Sequence, residues 1–225
     1  MRFTLLSIGL FCLLSIPAIG QNYTNSADSD PAAKAILDQV REKYEAYTSI
    51  EANFSLEIQL PEQPVEIQKG TLARDGDKYR ASFGSQEVLA DDEALYLVLH
   101  NNKSVQINDL PAPDEDASML SPQSLFNFYD SGEFVYTLLD TRMEAGKVVH
   151  VIEFKPTDRY SEYSKLRMLV DKNTNAMVHV KAFAKDGSRY TFYIDSIQPN
   201  KTFPASHFTY TKAQFPDYYV EDIRG

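Results

Sequence analysis

Apolar and polar side chains alternate without interruption in residues 50–60 of the chain. Because successive side chains of a β-strand point to opposite faces, the even-numbered apolar residues from Ile50 to Leu60 would all share one face. Such alternation is typical of an antiparallel sheet with a core on one side only. The apolar face predicts either plain core packing or a wall that contacts an apolar ligand.

A helical pattern precedes this strand. Asp30 suits the N-cap of a helix and Pro31 its first turn, where a backbone N–H is not needed. Apolar residues then recur at helical spacing, at Ala33, Ile36, Leu37, Val40, Tyr44 and Tyr47. This stripe predicts a helix that packs on the sheet or covers it.

Further alternating segments follow along the chain. They predict strands at residues 65–72, 78–83, 87–90, 95–99, 104–107, 134–139, 148–154, 165–170, 176–184, 189–194 and 207–210. The connections are mostly short and rich in turn residues, which favours hairpins and an antiparallel sheet. Ser121 and Pro122 would begin a second, short helix that is apolar around much of its circumference. We therefore expect a mainly β fold built on one large curved sheet.

The first residues have the pattern of a secretory signal peptide, with an apolar run at residues 3–19 that ends in small side chains. We expect a signal peptide at residues 1–20 and one domain at residues 21–225. An uncleaved membrane anchor is the alternative. Cys12, the only cysteine, would leave with the signal, so the exported chain would have no disulfide, thiolate metal site or cysteine nucleophile.

The net charge of −10 disfavours nucleic acid and anionic membranes as partners. The chain also has 14 Tyr and 13 Phe, and some of these rings would line something other than a core. His100, His150, His179 and His207 lie in or beside separate predicted strands, without metal-ligand spacing. No nucleophile elbow or glycine-rich phosphate loop is present. We expect a binding protein without a catalytic site, metal or cofactor.

Two long segments resemble the LolA family of periplasmic lipoprotein carriers. They are KGTLARDGDKYRASFGSQEVLADDEALYLV at residues 69–98 and SPQSLFNFYDSGEFVYTL at residues 121–138. The last eleven residues, FPDYYVEDIRG, are similar to the ending of Bacteroidetes-type members. The family has an arginine linked to lid opening at a position that this chain does not match, and Arg74 and Arg80 are the nearby candidates.

The resemblance implies an incomplete antiparallel β-barrel of about eleven strands, covered by a few short α-helices. It implies a monomeric periplasmic chaperone whose hydrophobic cavity holds the acyl chains of lipoproteins on their way from the inner to the outer membrane. The implied partners are acylated lipoproteins, an inner-membrane lipoprotein-releasing ABC transporter and an outer-membrane acceptor.

The candidate wall of that cavity begins on the opening strand, extends over other strands and includes the predicted lid helix. Its members are Phe54, Leu56, Ile58, Tyr79, Phe83, Leu97, Leu125, Phe126, Phe128, Phe134, Phe154, Met168, Phe183 and Phe192. Each residue could equally belong to a plain core. A lipid- or lipoprotein-sensing regulatory protein on the same fold is the alternative function, and a secreted hydrolase is a third hypothesis.

Overall fold

The structure is a computed structural model that describes residues 28–110 and 128–225. One α-helix, α1, spans Pro31–Glu45 within these residues. Its start is as predicted, because the Asp30 carboxylate accepts a hydrogen bond of 2.8 Å from the Ala32 N–H and Pro31 lies in the first turn. The expected signal peptide at residues 1–20 lies outside the described residues.

In residues 28–110 and 128–225, twelve strands follow α1, and most begin and end within a few residues of the predicted positions. They are β1 Ser49–Gln59, β2 Glu66–Asp75, β3 Lys78–Phe83, β4 Gln86–Ala90, β5 Leu95–Leu99, β6 Ser104–Asn108, β7 Phe134–Glu144, β8 Lys147–Pro156, β9 Tyr163–Asp171, β10 Met177–Ala184, β11 Arg189–Pro199 and β12 Tyr219–Asp222.

All twelve strands belong to one sheet, in the order β12-β6-β5-β4-β3-β2-β1-β11-β10-β9-β8-β7. Neighbouring strands are antiparallel except β12, which runs parallel to β6. The sheet does not close, because β12 and β7 lie at its two edges. The prediction of a mainly β fold with an incomplete barrel and helical cover is therefore confirmed.

The C-terminal part differs from the prediction. The strand expected at residues 207–210 is wrong, since a 3-10 turn at Ala205–His207 ends at its first residue and residues 208–210 form no strand. Pro204 directly precedes the turn, and its fixed φ and missing N–H suit a turn better than a paired strand. The strand β12 was not predicted. The helix expected from Ser121 lies outside the described residues, which begin again with a 3-10 turn at Phe128–Asp130.

The sheet has two distinct faces. Residues that are paired across neighbouring strands point to the same side, so the pairing extends the alternation of β1 over the whole sheet. We call the side of Phe54 and its neighbour Ile194 the helix face, because Ile194 packs against the cluster that contains α1. The opposite side is the outer face. There, Phe215 and Tyr210 of the C-terminal segment pack on a second cluster formed by β4, β5 and β6.

The helix α1 buries its apolar stripe on the strands from β7 to β10. Ala33, Leu37, Val40 and Tyr44 are all buried in one cluster with side chains of these strands. The Tyr44 hydroxyl accepts a hydrogen bond of 3.1 Å from the Met177 N–H, and burial raises the pKa of Tyr44 to about 12. The helical stripe is therefore a packing surface, as predicted. None of the helices in the described residues is long and apolar enough to span a membrane.

Asp30 connects the start of α1 to strand β7. Besides the Ala32 N–H, its carboxylate accepts a hydrogen bond of 3.1 Å from the Leu138 N–H, and these backbone hydrogen bonds lower the pKa of Asp30 below its ordinary value of 3.8. A group whose pKa is lower in the folded than in the unfolded state stabilises the fold above its unfolded pKa. This stabilisation is lost as the pH falls through the folded value.

We therefore expect Asp30→Asn to have a lower thermal midpoint than the parent at pH 7, because Asn keeps an acceptor oxygen but not the charge. The difference should shrink below about pH 3.8, as the parent carboxylate becomes protonated. Thermal unfolding followed by circular dichroism between about pH 2.5 and 7 measures it. A difference that stays constant over this range would show that the charge of Asp30 contributes nothing.

Candidate functional site

The helix face brings together most of the residues proposed as a cavity wall. Register places Gly70 beside Phe54 and Phe83 beside Gly70, while Phe192 lies beside Leu56 on the other neighbouring strand. The same pairing puts further candidates on this face: Ile58, Tyr79, Leu97, Phe134, Phe154 and Met168. These side chains come from β1, β3, β5, β7, β8, β9 and β11, so the apolar surface extends across almost the entire sheet.

Burial divides this surface into two parts. Phe154 and Met168 are 0% and 2% exposed and belong to the cluster under α1. They are packed core, because the side chains of this cluster enclose them almost completely. The remaining wall candidates on this face are half-buried: Phe54, Leu56, Ile58, Tyr79, Phe83, Leu97, Phe134 and Phe192. The surface available to a ligand therefore centres on β1 and its neighbours.

Three aromatic rings form a row at the centre of the helix face. The ring of Phe54 lies 5.8 Å from that of Phe83 and 5.1 Å from that of Phe192, measured between centroids. Contacts at these distances are favourable for aromatic pairs. The row therefore joins β3, β1 and β11 into one continuous apolar strip, which we call the phenylalanine row.

The row depends on a glycine in β2. A Cβ atom on Gly70 would lie 2.2 Å from Phe54 Cζ and 2.7 Å from the backbone oxygen of Ser82. The absence of a side chain thus lets the Phe54 ring lie flat over β2 and reach Phe83 on the next strand. Gly70 belongs to the segment that resembles the carrier family, but its packing role was not predicted.

Phe183 is not part of this surface. It is paired with Lys165 in β9 and Arg189 in β11, and all three lie on the outer face. The proposal that Phe183 extends the same wall is therefore corrected. Leu125 and Phe126 lie outside the described residues, and Phe128 is placed only as the first residue of the 3-10 turn at Phe128–Asp130.

A cavity of about 520 Å³ lies beside β1, but it is mostly polar. Its lining includes Phe54 and Gly70, while the other residues are Asn53, Ser55, Lys69, Thr71, Ser82, Gly84 and Asp195. Most of these alternate with the helix-face positions of the same strands and so belong to the outer face. Ser55 donates a hydrogen bond of 2.5 Å to Asp195 there. This cavity does not coincide with the apolar strip.

Arg74 and Arg80, the two candidates for the lid-linked arginine, have different surroundings. Arg74 Nη2 donates hydrogen bonds of 2.9 Å and 3.4 Å to the backbone oxygens of Tyr47 and Tyr44, at the end of α1. Arg80 instead pairs with Glu87 and donates to the His207 backbone oxygen. Of these two, only Arg74 connects the sheet to the helix that covers its helix face.

The four histidines have separate structural contacts. The Nδ1 atom of His100 lies 2.9 Å from the Tyr218 hydroxyl, and that of His150 lies 2.8 Å from the Thr141 hydroxyl. His179 and His207 contact the rings of Tyr193 and Phe203. In residues 28–110 and 128–225, no three His, Cys, Asp or Glu side chains come together as a possible metal site.

The sequence matches no protein-family model and no curated protein. The fold is shared with an uncharacterised conserved protein from Thermus thermophilus, at a TM-score of 0.52 and 11% identity over 86% of this chain and 99% of that one. Weaker similarities include a LolA superfamily protein from Nitrosomonas europaea, at a TM-score of 0.37 and 13% identity over 79% and 97% of the two chains. Another is the MucA/MucB complex of Pseudomonas aeruginosa, at a TM-score of 0.47 and 13% identity over 80% of this chain and 61% of that one.

We expect Gly70→Ala to destabilise the fold by about 1 to 3 kcal/mol, because the added methyl would overlap the Phe54 ring and the β3 backbone. Chemical denaturation measures the loss. In the double variant Phe54→Ala/Gly70→Ala, the overlap with the ring is absent, so the total loss should be smaller than the sum of the single losses. Strictly additive losses would show that Gly70 and Phe54 do not contact each other.

Proposed function

We propose that this protein binds the acyl chains of lipoproteins on the helix face and carries them through the periplasm, from the inner to the outer membrane. The observation that carries the proposal is the half-buried phenylalanine row with Leu56 and Ile58 beside it. These side chains are less buried than Phe154, which is 0% exposed, so part of their apolar surface is available to a ligand. The similarity of residues 69–98 and 121–138 to the carrier family supports the same function.

The energetics of acyl-chain binding suit a half-open site. Burying one methylene contributes about 0.8 kcal/mol, so about fourteen buried methylenes would contribute on the order of 11 kcal/mol before any cost. Two or three fully buried chains would approach or pass the practical limit of about 18 to 21 kcal/mol for noncovalent affinity. A carrier must release its cargo, and wall residues that stay partly in water limit the energy gained.

The proposed role is binding without catalysis, with acylated lipoproteins as cargo. An inner-membrane lipoprotein-releasing ABC transporter would supply the cargo, and an outer-membrane acceptor would receive it. The contacts of the four histidines support a noncatalytic role, since each ring has a neighbour that explains its position. No energy source is needed in the carrier, because differences in affinity can drive the transfer.

Leu56→Trp tests the wall directly. Leu56 is half-buried and lies between Phe192 and Gln68, so we expect the indole to fit without large strain and to occupy the space of an acyl chain. The thermal midpoint should stay close to that of the parent, while release of lipoproteins from inner-membrane vesicles should fall markedly. The chain has no native Trp, so the indole fluorescence also reports directly on acyl binding at this position.

Glu57→Gln is the matched control, because Glu57 is the next residue of β1 and points to the outer face. It should change neither stability nor lipoprotein release. A strongly destabilised Leu56→Trp would place Leu56 in a packed core, where overpacking costs about 1 to 3 kcal/mol. A stable variant with normal release would place the cargo elsewhere.

A further inference from the structure

A cluster of four cations surrounds Phe183 on the outer face. The Lys165 and Lys181 amines lie 5.4 Å and 5.9 Å from the centroid of its ring, and the Arg167 and Arg189 guanidinium carbons lie 5.5 Å and 6.0 Å from it. The five residues come from the neighbouring strands β9, β10 and β11. We call them the Phe183 cluster.

The cluster is positively charged within an acidic protein. Glu153 pairs with two of its cations, at 2.9 Å from Arg167 Nε and 3.2 Å from Lys165 Nζ. Lys181 and Arg189 have no ion pair with any residue in the described ranges. Glu57 is the next carboxylate on this face, two strands from Lys181 across Thr191, which corresponds to about 10 Å. On these strands the four cations thus face one adjacent carboxylate, although the whole chain has a net charge of −10. The loops at the same end add the exposed cations Arg159 and Lys185 and the exposed carboxylates of Asp158, Glu162 and Asp186.

Exposed apolar side chains lie at the same end of the sheet. Lys185, two residues after Phe183, donates a hydrogen bond of 2.7 Å to the Arg159 backbone oxygen and so fixes the loop with Tyr160 beside the cluster. The Tyr160 ring is 75% exposed, under the Arg159 guanidinium. A Cβ on Gly187 would lie 3.5 Å from Pro61 Cγ, which places the β1–β2 hairpin next to the same turn. Val65 of that hairpin is 52% exposed.

We propose that this end of the outer face docks on a membrane surface that contains anionic phospholipids. The four cations of the Phe183 cluster would contact the lipid phosphates, while Tyr160 and Val65 would enter the interfacial layer. Lys and Arg side chains beside an exposed aromatic residue and an aliphatic one are the combination that peripheral membrane binding uses. This docking goes beyond lipoprotein binding and does not require it.

The overall charge does not prevent such docking. Charges further away than about 8 to 10 Å are largely screened at an ionic strength of about 0.1 to 0.15 M, so the side chains nearest the membrane dominate the interaction. The expectation from composition, that an acidic chain avoids anionic membranes, assumes that charge is spread evenly. The Phe183 cluster shows that it is not.

Flotation of the purified exported protein with vesicles tests the proposal. We expect binding to phosphatidylcholine vesicles with about 30% phosphatidylglycerol, little binding to pure phosphatidylcholine, and loss of binding in about 0.5 M NaCl. Lys181→Gln/Arg189→Gln should weaken the partition onto the anionic vesicles about thirtyfold. The matched control is Lys147→Gln/Lys172→Gln, which removes the cations at the first residue of β8 and directly after β9, at the opposite end of these strands, and should bind like the parent.

A fluorescent probe tests the contact of the loop with the membrane. In a chain without Trp, Tyr160→Trp should show a blue shift on addition of the anionic vesicles, whereas Tyr219→Trp should not. Tyr219 is 69% exposed but lies in β12, at the far edge of the sheet.

Equal loss of binding in both charge-removal pairs, or a parent that binds neither vesicle, would overturn the proposal. In the second case, an acidic protein surface would be the partner to examine. If the same protein still releases lipoproteins normally from inner-membrane vesicles, the proposed carrier function is unaffected.

Discussion

The position of β1 at the centre of the sheet determines the rest of the structure. β1 pairs with β2 on one side and β11 on the other, so it joins the strands from β2 to β6, with β12 at their edge, to the strands from β7 to β11. A slip of one residue in either pairing would exchange the two faces for every strand beyond it. The alternation in residues 50–60 prevents this slip, because a strand that slipped by one residue would expose Ile50 and Ala52 and bury Glu51.

The helix face is covered differently on the two sides of β1. On the side of β11, the helix α1 covers the sheet, and Phe154 and Met168 are completely buried. On the side of β2, Gly70 provides no side chain, and the Phe54 ring fills its place while remaining partly exposed. Packed core and half-open wall are therefore continuous, and Phe192 contributes to both, since it packs against the cluster under α1 and contacts Phe54.

The sequence predicted those features that depend on neighbours in the chain. The cap at Asp30, the alternation of β1 and the short connection between the strands predicted at residues 176–184 and 189–194 are local, and the structure contains all three. The strand β12 depends on a parallel partner, β6, more than a hundred residues earlier, and no local pattern reveals such pairing. The face of Phe183 depends on turn lengths and on register shifts in β10, which alternation within one strand does not show. The burial of Phe154 depends on where α1 lies.

The strands β9, β10 and β11 contribute to two different surfaces, one on each face of the sheet. In β10, Val180 and Ala182 point to the helix face, whereas Lys181 and Phe183 point to the opposite side. The apolar strip and the Phe183 cluster therefore lie on opposite faces of the same sheet, separated only by the backbone of its strands. A carrier that docks by this end of the sheet would hold the phenylalanine row close to the lipid from which acyl chains leave. The short distance between the two surfaces follows from the alternation of side chains along a strand.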